Sequence, residues 1–484
     1  MKKEYILLLV ISILVLTSCN SEVVIYDDFS IIGDVNNSIN LMSVTKDLET
    51  IEYEYNDVVT KAYEIRSLIN LADPISKDFS VVIVANDMFS TKLDGNTLEN
   101  THLVYDEDEK WVFVSNNHPK NSKVKNIKEI IIVNNNLDYD YGINLIDENN
   151  TINYSLGNLL ANGYELMPII DGNTAKTVDG KKYAIDVMKY IRAISLDNLY
   201  ENKARTILLT SKKGEYQYLY NQNIYLELEN DSIHLYDKSS NNIYEDVNGL
   251  MLDPPDMSNL EIYNMVSDYL KSKEQVLVIL IDGFSFSQYQ NIVENNKEYY
   301  LSNTNTTYKS TSVYKPVTNA GFSTILTGQK PINHGVLDRS FREVKTDTMF
   351  DFAKKLNLTS VLIEGDINIL NLDVDTKLNL DSNSDGFNED EIYQSALKNL
   401  DNDLVFVHFH SVDNAGHSYG PFGEETIDRI KVVDSYVEGL ASQWDGKILI
   451  VSDHGMHETD SGGSHGQFRS EDIFVPILVM DGEK

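Results

Sequence analysis

Aspartate and histidine residues follow several apolar segments in the second half of this 484-residue chain. The run QVLVILI ends directly before an aspartate, and ILIVS is followed by an Asp-His pair. The run LVFVHFHSVD is predicted to be a strand that ends at the aspartate of DNAGH, and DNAGH and GGSHG each add a histidine. One such aspartate alone is more often a turn residue, but carboxylates and imidazoles together predict a site for divalent metal ions. The residues concerned are Asp282, Asp413, His417, Asp453, His454 and His465.

A hydroxyl group that could act as a nucleophile lies in KPVTNAGFSTILTGQKPINHG, residues 315–335. Thr318 precedes a segment of helical spacing that stops at Gly328, so it is predicted to be a helix N-cap. The free N–H groups of a first helical turn favour a phosphate oxygen or a developing anion. Most threonines at such positions only cap a helix. With the six residues above, however, Thr318 completes a ligand set sufficient for two divalent ions.

The elements that carry these residues alternate between strands and helices, as in an α/β domain. Ligands of such sheets gather at the carboxyl ends of the strands, which is where the acids and histidines of this chain stand. The predicted strands are Gln275–Ile281, Ser360–Ile363, Leu404–Phe409, Lys447–Val451 and Ile473–Val479. The predicted helices are Leu260–Leu270, Phe286–Glu294, Thr348–Leu356, Glu389–Leu400 and Glu424–Trp444.

Residues 41–255 are predicted to be a strand-rich α+β region in which no residues show the spacing of metal ligands. Two fragments, beginning at Lys61 and Lys181, share the pattern Lys-x-Tyr-x-Ile-x-x-apolar and suggest two repeated modules. Chance similarity is the alternative. A proline pair in LDPPDM, residues 252–257, marks the predicted boundary with the following domain. The strand candidates are Ser80–Ala85, Trp111–Ser115, Glu129–Val133, Thr206–Thr210 and Ile224–Leu228.

The first residues have the character of an export signal. Two lysines precede an apolar run that is shorter than the roughly 20 residues of a membrane-spanning helix. The sequence LTSC, residues 16–19, resembles the bacterial lipobox, in which the cysteine is lipidated. Residues 1–18 are therefore interpreted as a lipoprotein signal peptide and 19–40 as a tether. The resemblance implies anchoring through Cys19 to the extracytoplasmic face of the cell membrane, and a plain cleaved signal is the alternative.

Charge and cysteine content restrict the functions further. A hydrophobic content of 42% is that of a globular protein, and the formal charge of -35 argues against binding to nucleic acid. Because Cys19 is the only cysteine, we expect no intrachain disulfide, and stability must come from the core and from bound metal.

Five segments together resemble the alkaline phosphatase superfamily, and most of all its type I phosphodiesterase/nucleotide pyrophosphatase branch. Their order and spacing agree with that branch over residues 275–479. The resemblance implies an α/β catalytic domain over residues 270–484, with a mixed or parallel sheet and helices on both faces. The matching segments are ILIDGF (Ile279–Phe284), VTNAGFSTILTGQKPINHGV (Val317–Val336), DNAGHSYGP (Asp413–Pro421), SDHGM (Ser452–Met456) and GGSHG (Gly462–Gly466).

The same resemblance implies two divalent metal ions, either zinc or manganese, and a phosphorylated threonine intermediate on Thr318. The backbone N–H of Asn319 is expected to contribute to the oxyanion site. One ion would be held by Asp413, His417 and His465. The other would be held by Asp282, Asp453, His454 and the oxygen of Thr318. His408 and His410 are interpreted as residues that line or support the site. Glu364 is interpreted as a turn residue, with contact to the substrate as the alternative.

The chain departs from the branch after the nucleophile. An ungapped count from Thr318 places Arg339 where the branch has a phosphate-binding asparagine, so Arg339 is a candidate substrate-binding residue. Thr-Asn after the strand is closer to the phosphonoacetate hydrolases of the superfamily. The substrate, a small phosphate ester, is therefore open between a monoester, a diester and a phosphonate. The alternative from another class is a surface binding protein whose hydrolase domain is inert.

Overall fold

The structure, a computed structural model, describes the chain apart from residues 1–27, 42–47, 116–122, 179–180, 201–205, 221–222 and 295. The predicted signal peptide and Cys19 therefore lie outside the described residues. The chain divides into two compact units, Met1–Asn135 and Asn136–Lys484. Among the described residues, no helix is both long and apolar enough to cross a membrane.

The first unit contains two sheets, ordered β2-β1-β9-β5-β6 and β3-β4-β7-β8. Its elements are β1 (Ser30–Gly33), β2 (Ile39–Asn40), β3 (Ile51–Tyr55), β4 (Val58–Glu64), α1 (Ile65–Ala72), β5 (Phe79–Ala85), β6 (Ser90–Asp94), β7 (Thr101–Asp106), β8 (Lys110–Ser115) and β9 (Ile127–Asn134). Ile31 and Ile32 of β1 are fully buried. The prediction of a tether over residues 19–40 is therefore wrong for residues 30–40, because apolar burial makes them part of the fold.

The second unit begins with a strand-rich segment in which one sheet has the same strand order as the five-stranded sheet of the first unit. Its elements are β10 (Ile143–Asp147), β11 (Asn150–Tyr154), α2 (Leu156–Ala161), β12 (Glu165–Val178), β13 (Lys181–Ser195), β14 (Thr206–Ser211), β15 (Tyr216–Tyr220), β16 (Ile224–Leu228), β17 (Ile233–Asp237), β18 (Asn242–Tyr244) and β19 (Val247–Leu252). The order β11-β10-β19-β14-β15 repeats that of the five-stranded sheet of the first unit. Each of the two sheets contains one parallel pair, which is β1 with β9 in the first and β10 with β19 in the second. The fragments at Lys61 and Lys181 begin in β4 and β13, but the first continues into α1 whereas the second stays within its strand.

The rest of the second unit is built on an eight-stranded mixed sheet, ordered β20-β22-β29-β26-β21-β25-β23-β24. Its strands, with a small hairpin of β27 and β28, are β20 (Met257–Ser258), β21 (Val276–Ile281), β22 (Thr306–Thr311), β23 (Ser360–Glu364), β24 (Asp375–Leu378), β25 (Leu404–Phe409), β26 (Lys447–Val451), β27 (His457–Thr459), β28 (Gly462–Ser464) and β29 (Phe474–Asp481). Its helices are α3 (Ile262–Lys271), α4 (Phe286–Gln288), α5 (Thr318–Thr327), α6 (Pro331–His334), α7 (Met349–Lys355), α8 (Glu389–Leu397), α9 (Ser411–Tyr419), α10 (Glu424–Ala441) and α11 (Ser470–Ile473).

Helices cover both faces of this sheet, as expected from the sequence. Leu277 and Ile279 of β21 point into a core formed with α8 and α10. Val278 and Leu280 point to the other face, where α3, α5 and α7 pack. The fold class is therefore α/β with a mixed sheet, preceded by a strand-rich region.

A further core connects residues 136–255 to the start of α5. Ile146, Leu208 and Met251 pack with Val317 and Ala320 there. The domain boundary expected from the sequence at residues 252–257 stays a prediction. In the structure, the segment from residue 136 onwards shares this core with the sheet that carries the acids and histidines.

One histidine of the nucleophile segment has a structural role. His334 is fully buried, its Nδ1 accepts a hydrogen bond from the N–H of Val336 at 3.2 Å, and its Nε2 lies 3.0 Å from Thr324 Oγ1. Because Thr324 Oγ1 donates to the carbonyl of Ala320, it accepts the Nε2 proton of a neutral ring. Burial lowers the pKa of His334 to about 4.

This pKa predicts a pH-dependent stability. The folded-state pKa of His334 lies below the unfolded value of about 6.5. The neutral ring therefore contributes to the free energy of unfolding above pH 6.5, and this contribution of up to about 3 kcal/mol is lost as the pH falls towards 4. We expect the stability difference between the wild type and His334→Asn to shrink over that range. Urea unfolding of both proteins from pH 7.5 to 4.5 measures it. A difference that is constant with pH would contradict a neutral, buried His334.

Candidate active site

The seven residues predicted as metal ligands and nucleophile converge at one edge of the eight-stranded sheet. Strands β25, β21 and β26 are adjacent and parallel, so their carboxyl ends meet there. Asp282 follows β21, Asp453 and His454 follow β26, and the helix after β25 carries the DNAGH segment. Thr318 begins α5 and His465 follows β28.

Two of these residues lie in different local structure from that predicted. The N-cap of α5 is Val317, in an extended conformation, and Thr318 is the first helical residue. Its hydroxyl therefore does not cap the helix and faces the acids instead. Asp413 lies in the first turn of α9 and does not end a strand. The chain enters this helix directly after β25 because the carboxylate of Glu389 accepts the N–H groups of His410 and Ser411, at 3.0 and 2.7 Å.

The first group of ligands surrounds Thr318. Its Oγ1 lies 3.5 Å from Asp282 Oδ1 and 3.3 Å from His454 Nε2. Asp282 Oδ1 is itself 3.3 Å from His454 Nε2, and Asp453 Oδ2 is 3.6 Å from the same nitrogen. One ligand atom of each of Asp282, Asp453 and His454 therefore lies within reach of a single ion.

The second group is centred on Asp413. Its Oδ2 lies 3.3 Å from His417 Nε2, one helical turn further along α9, and its Oδ1 lies 3.4 Å from His465 Nε2. The rings of His454 and His465 stack with their centroids 3.7 Å apart. His454 can therefore also share an ion with Asp413 and His465, so it lies between the two groups.

The three imidazoles of these groups are held in the same tautomer. Each Nδ1 lies next to a backbone carbonyl: that of Gly463 for His417 at 3.1 Å, Gly455 for His454 at 2.9 Å and Pro316 for His465 at 2.9 Å. A carbonyl only accepts, so each Nδ1 carries a proton and donates it. When these rings are neutral, each turns its Nε2 lone pair towards the space between the carboxylates, as in metal-binding histidines.

The charges of the cluster also fit bound cations. Burial and the charge of Asp282 raise the pKa of Asp453 to about 7. Burial lowers the pKa of His454, but Asp453 and Asp282 outweigh it and raise the value to about 10. Asp453 Oδ2 and Asp413 Oδ1 are buried and have no hydrogen-bond partner. Buried carboxylate oxygens without partners are costly unless a cation binds them, and oxygen with imidazole ligands suits zinc or manganese.

Two glycines allow the elements of the site to approach each other. A Cβ atom on Gly321 would lie 2.3 Å from the carbonyl of Asp453, so α5 packs directly on the end of β26. Gly283 has a φ of +72°, and a Cβ there would lie 2.9 Å from Asp413 Oδ1. Larger residues at these positions would separate Thr318 and Asp413 from the other ligands.

The two predicted substrate-binding residues lie at the edge of this site. The guanidinium of Arg339 contacts His465 Nε2. The side-chain amide of Asn319 donates to the carbonyl of Phe341 at 2.8 Å, which ties the loop carrying Arg339 to the start of α5. The backbone N–H of Asn319 belongs to the first turn of α5, which has no intrahelical acceptors.

Sequence reasoning placed His408 and His410 at the site but missed that Glu364, interpreted as a turn residue, lies beside them. Glu364, at the end of β23, is fully buried and lies next to His408 and His410. Two histidines at i and i+2 share one face of a strand, and that spacing was the only sequence signal for them. No pattern indicated that β23 lies beside β25.

One family model matches this part of the chain, which is less than half of its length. Residues 276–367 and 368–479 match the family model described as type I phosphodiesterase/nucleotide pyrophosphatase, and all seven residues fall within them. The match supports the alkaline phosphatase superfamily and a phosphoryl-transfer enzyme.

Curated relatives match over shorter stretches. GPI ethanolamine phosphate transferase 1 of Neurospora crassa is 34% identical over 83 residues, 16% of this chain and 8% of that protein. The catalytic subunit of human GPI ethanolamine phosphate transferase 3 is 33% identical over 66 residues, 13% of this chain and 6% of that protein. The chain thus spans less than a tenth of the length of these relatives.

Similar solved structures include an inactive variant of murine ectonucleotide pyrophosphatase/phosphodiesterase 5 in complex with AMP. Its TM-score is 0.33 at 19% identity, covering 39% of this chain and 58% of that one. Phosphonoacetate hydrolase from Sinorhizobium meliloti in complex with phosphonoformate has a TM-score of 0.31 at 16% identity, covering 39% and 59%.

Proposed function

We propose that the second unit of this protein hydrolyses phosphoric esters, with Thr318 as a nucleophile that is transiently phosphorylated at a site for two divalent cations. The observation that carries the proposal is the position of Thr318 Oγ1, at the start of α5 and 3.3 to 3.5 Å from His454 Nε2 and Asp282 Oδ1. A half-buried hydroxyl that does not cap its helix and lies beside buried carboxylates is suited to nucleophilic attack.

In the first step, Thr318 Oγ1 forms a bond to phosphorus while the bond to the leaving oxygen breaks. The hydroxyl proton has an acceptor at Asp282 Oδ1, and the leaving alkoxide takes a proton from water. In the second step, water attacks phosphorus, the bond to Thr318 breaks and the hydroxyl is restored. The N–H groups of Thr318 and Asn319 in the first turn of α5 are available to phosphoryl oxygens in both steps.

The cations would be held by the two ligand groups. Asp282, Thr318, Asp453 and His454 form one, and Asp413, His417 and His465 form the other. Bound there, divalent cations would supply stabilisation of the alkoxide form of Thr318 and of negative charge on phosphorus oxygens. Zinc suits this mixture of imidazole and carboxylate ligands best, and manganese is the alternative.

The experiment for this function is a substrate screen with the purified chain and added zinc or manganese. We expect p-nitrophenol release from at least one of p-nitrophenyl phosphate, bis-p-nitrophenyl phosphate and p-nitrophenyl phenylphosphonate. The three substrates separate phosphate monoesterase, phosphate diesterase and phosphonate monoesterase activity. Absence of turnover on all of them with both metals would favour an inert domain in a surface binding protein.

The curated relatives suggest a second candidate function, transfer of the phosphoryl group to an alcohol instead of water. They are named as GPI ethanolamine phosphate transferases, although the similarity is local. Both reactions share the phosphorylated Thr318 and differ only in the second acceptor. Adding glycerol or ethanolamine to the assay and measuring phosphorylated alcohol against free phosphate distinguishes them.

Substrate preference is expected to depend on Arg339, whose guanidinium reaches the edge of the site at His465. A planar guanidinium can donate to two oxygens of a dianionic monoester. Arg339→Asn should therefore lower kcat/KM for the monoester more than for the diester, by a difference of about 1–3 kcal/mol. Paired kinetics on p-nitrophenyl phosphate and bis-p-nitrophenyl phosphate measure it.

Arg342→Asn is the matched control for that comparison. Arg342 lies in the same loop, but its guanidinium donates to the carbonyl of Asn368 at 3.3 Å, away from the site. Equal changes on both substrates with Arg339→Asn, or the same pattern in both variants, would show that Arg339 does not set the preference.

We also propose that the protein is held at the extracytoplasmic face of the cell membrane by lipid on Cys19. The support is the lipobox-like LTSC sequence alone. Two or more acyl chains give stable anchoring where one is marginal. Cys19→Ala should leave the precursor uncleaved or release the protein, measured by membrane fractionation and mass spectrometry of the N-terminus. Wild-type protein free in the medium with an unmodified Cys19 would overturn this proposal.

A further inference from the structure

The small hairpin of β27 and β28 supports both imidazoles of the second ligand group. His465 follows β28, and His417 Nδ1 donates to the carbonyl of Gly463 in β28 at 3.1 Å. The hairpin has three residue pairs and forms a sheet of its own, separate from the eight-stranded sheet. A two-stranded hairpin is marginally stable by itself, so contacts with other parts of the chain must hold it in place.

Asp472 in α11 anchors this hairpin at two points. Its Oδ1 lies 2.8 Å from Nδ1 of His457, the first residue of β27, and its Oδ2 accepts the N–H of Gln467 at 3.0 Å. His457 pairs with Ser464, the last residue of β28. His465 therefore lies between two points that the same carboxylate fixes, one through the pairing of His457 and one directly at Gln467.

Packing alone does not explain why a carboxylate lies at this place. Asp472 is fully buried and His457 nearly so. Burial raises the pKa of Asp472, and the hydrogen bond with His457 offsets part of that effect. A buried pair of this kind contributes little to folding compared with apolar side chains of the same size, because both groups lose their hydration. It can, however, specify one geometry for the segments that it joins, and here those segments carry metal ligands.

We propose that Asp472 is a positioning residue for the second ligand group, and that it sets the places of His417 and His465 through the hairpin. The inference rests on the proposed function, in which this group binds a cation. Partners that orient metal-binding histidines from outside the ligand set typically change metal affinity 10- to 100-fold when they are replaced.

The first ligand group provides an internal comparison. Asp282 follows β21, and Asp453 and His454 follow β26, and both strands lie within the eight-stranded sheet. The N–H of Gly455, next to His454, donates to the backbone carbonyl of Asp472 at 2.8 Å, and a change of the Asp472 side chain leaves that carbonyl in place. Loss of the carboxylate should therefore weaken cation binding at the second group and not at the first.

The test is the zinc affinity of Asp472→Asn, measured by titration of the full-length apoprotein against a chromogenic chelator. We expect one of two binding steps to weaken about 10-fold and the other to stay unchanged. In a His417→Asn background, where the second group is already incomplete, Asp472→Asn should cause no further loss. Such non-additivity assigns the weakened step to the second group.

Asp434→Asn is the matched control. Asp434 in α10 is also a buried carboxylate with two donors, the N–H groups of Tyr300 and Leu301, each at 2.8 Å. We expect this variant to lower the unfolding temperature without changing either zinc affinity. The comparison separates a loss of positioning from a general loss of stability.

A second variant and a metal-free measurement cover the case in which Asp472→Asn misfolds. His457→Asn leaves the bond between Asp472 and Gln467 in place and should weaken the same zinc step by a smaller factor. In the apoprotein, diethyl pyrocarbonate should modify His465 several-fold faster in both variants than in the wild type or in Asp434→Asn, because the hairpin is released. Mass spectrometry of the peptide that contains His465 measures this rate.

The outcomes are separable from those of the proposed function. Equal weakening of both zinc steps, or zinc affinities that match those of Asp434→Asn, would overturn the positioning role. A wild type that binds no zinc would contradict the ligand groups of the proposed function instead. The modification rate of His465 then decides about Asp472 alone, since a faster rate in the two variants supports its positioning role and an unchanged rate overturns it.

Discussion

Replacement of Thr318 by alanine is expected to lower kcat by at least about 10³-fold, because removal of a covalent nucleophile abolishes the path on which the other groups act. Metal content should stay near that of the wild type, since the carboxylates and imidazoles of both groups remain. Thr318→Ser keeps a hydroxyl and should retain measurable turnover. Steady-state kinetics with elemental analysis of the same samples measures both effects.

Thr327→Ala is the matched control for that variant. Thr327 lies at the other end of α5, where its hydroxyl donates to the carbonyl of Ser323 at 2.7 Å. Its loss should change kcat little. If Thr318→Ala kept more than a few per cent of wild-type activity under every assay condition, Thr318 would not be the nucleophile.

Removal of divalent metal is the second change with a large expected effect. Chelation should lower activity by at least about two orders of magnitude, because the cations are proposed to stabilise the alkoxide form of Thr318 at neutral pH. Zinc is expected to restore activity first and manganese second, given the imidazole and carboxylate ligands. The measurement is activity against added metal after dialysis with a chelator.

Dialysis without chelator is the control for that experiment, and calcium is the comparison ion. Calcium prefers six to eight oxygen ligands, which these groups do not offer. Full activity of protein shown by elemental analysis to be metal-free would contradict a metal-dependent reaction. Restoration by calcium as effective as by zinc would contradict the proposed ligand groups.

The metal ligands could be predicted from the sequence because of their positions relative to the strands. Asp282 and Asp453 directly follow continuous apolar strands, and the carboxyl ends of parallel strands meet at one edge of a sheet. The strands themselves were predicted to within two residues of their observed ends, for example Gln275–Ile281 against Val276–Ile281. Their apolar runs carry a strong signal because both faces of the sheet are covered.

The features that sequence reasoning missed depend on contacts between distant parts of the chain. Helix α9 begins directly after β25 because Glu389, over 20 residues earlier, accepts its first N–H groups. The cluster at Glu364 requires β23 to lie beside β25, and no local pattern specifies that neighbour. The role of Thr318 as first helical residue depends on Val317, which packs into the core with Ile146 and Met251.

The central claim, phosphoryl transfer through Thr318, is tested most directly by trapping the intermediate. Wild-type protein mixed with a substrate that it turns over is quenched in acid within the first turnovers, digested and analysed by mass spectrometry. We predict that the peptide containing Thr318 carries a phosphoryl group on that threonine, and that Thr318→Ala carries none on the corresponding peptide. Turnover with an unmodified Thr318, or with the phosphoryl group on another residue, would contradict the mechanism.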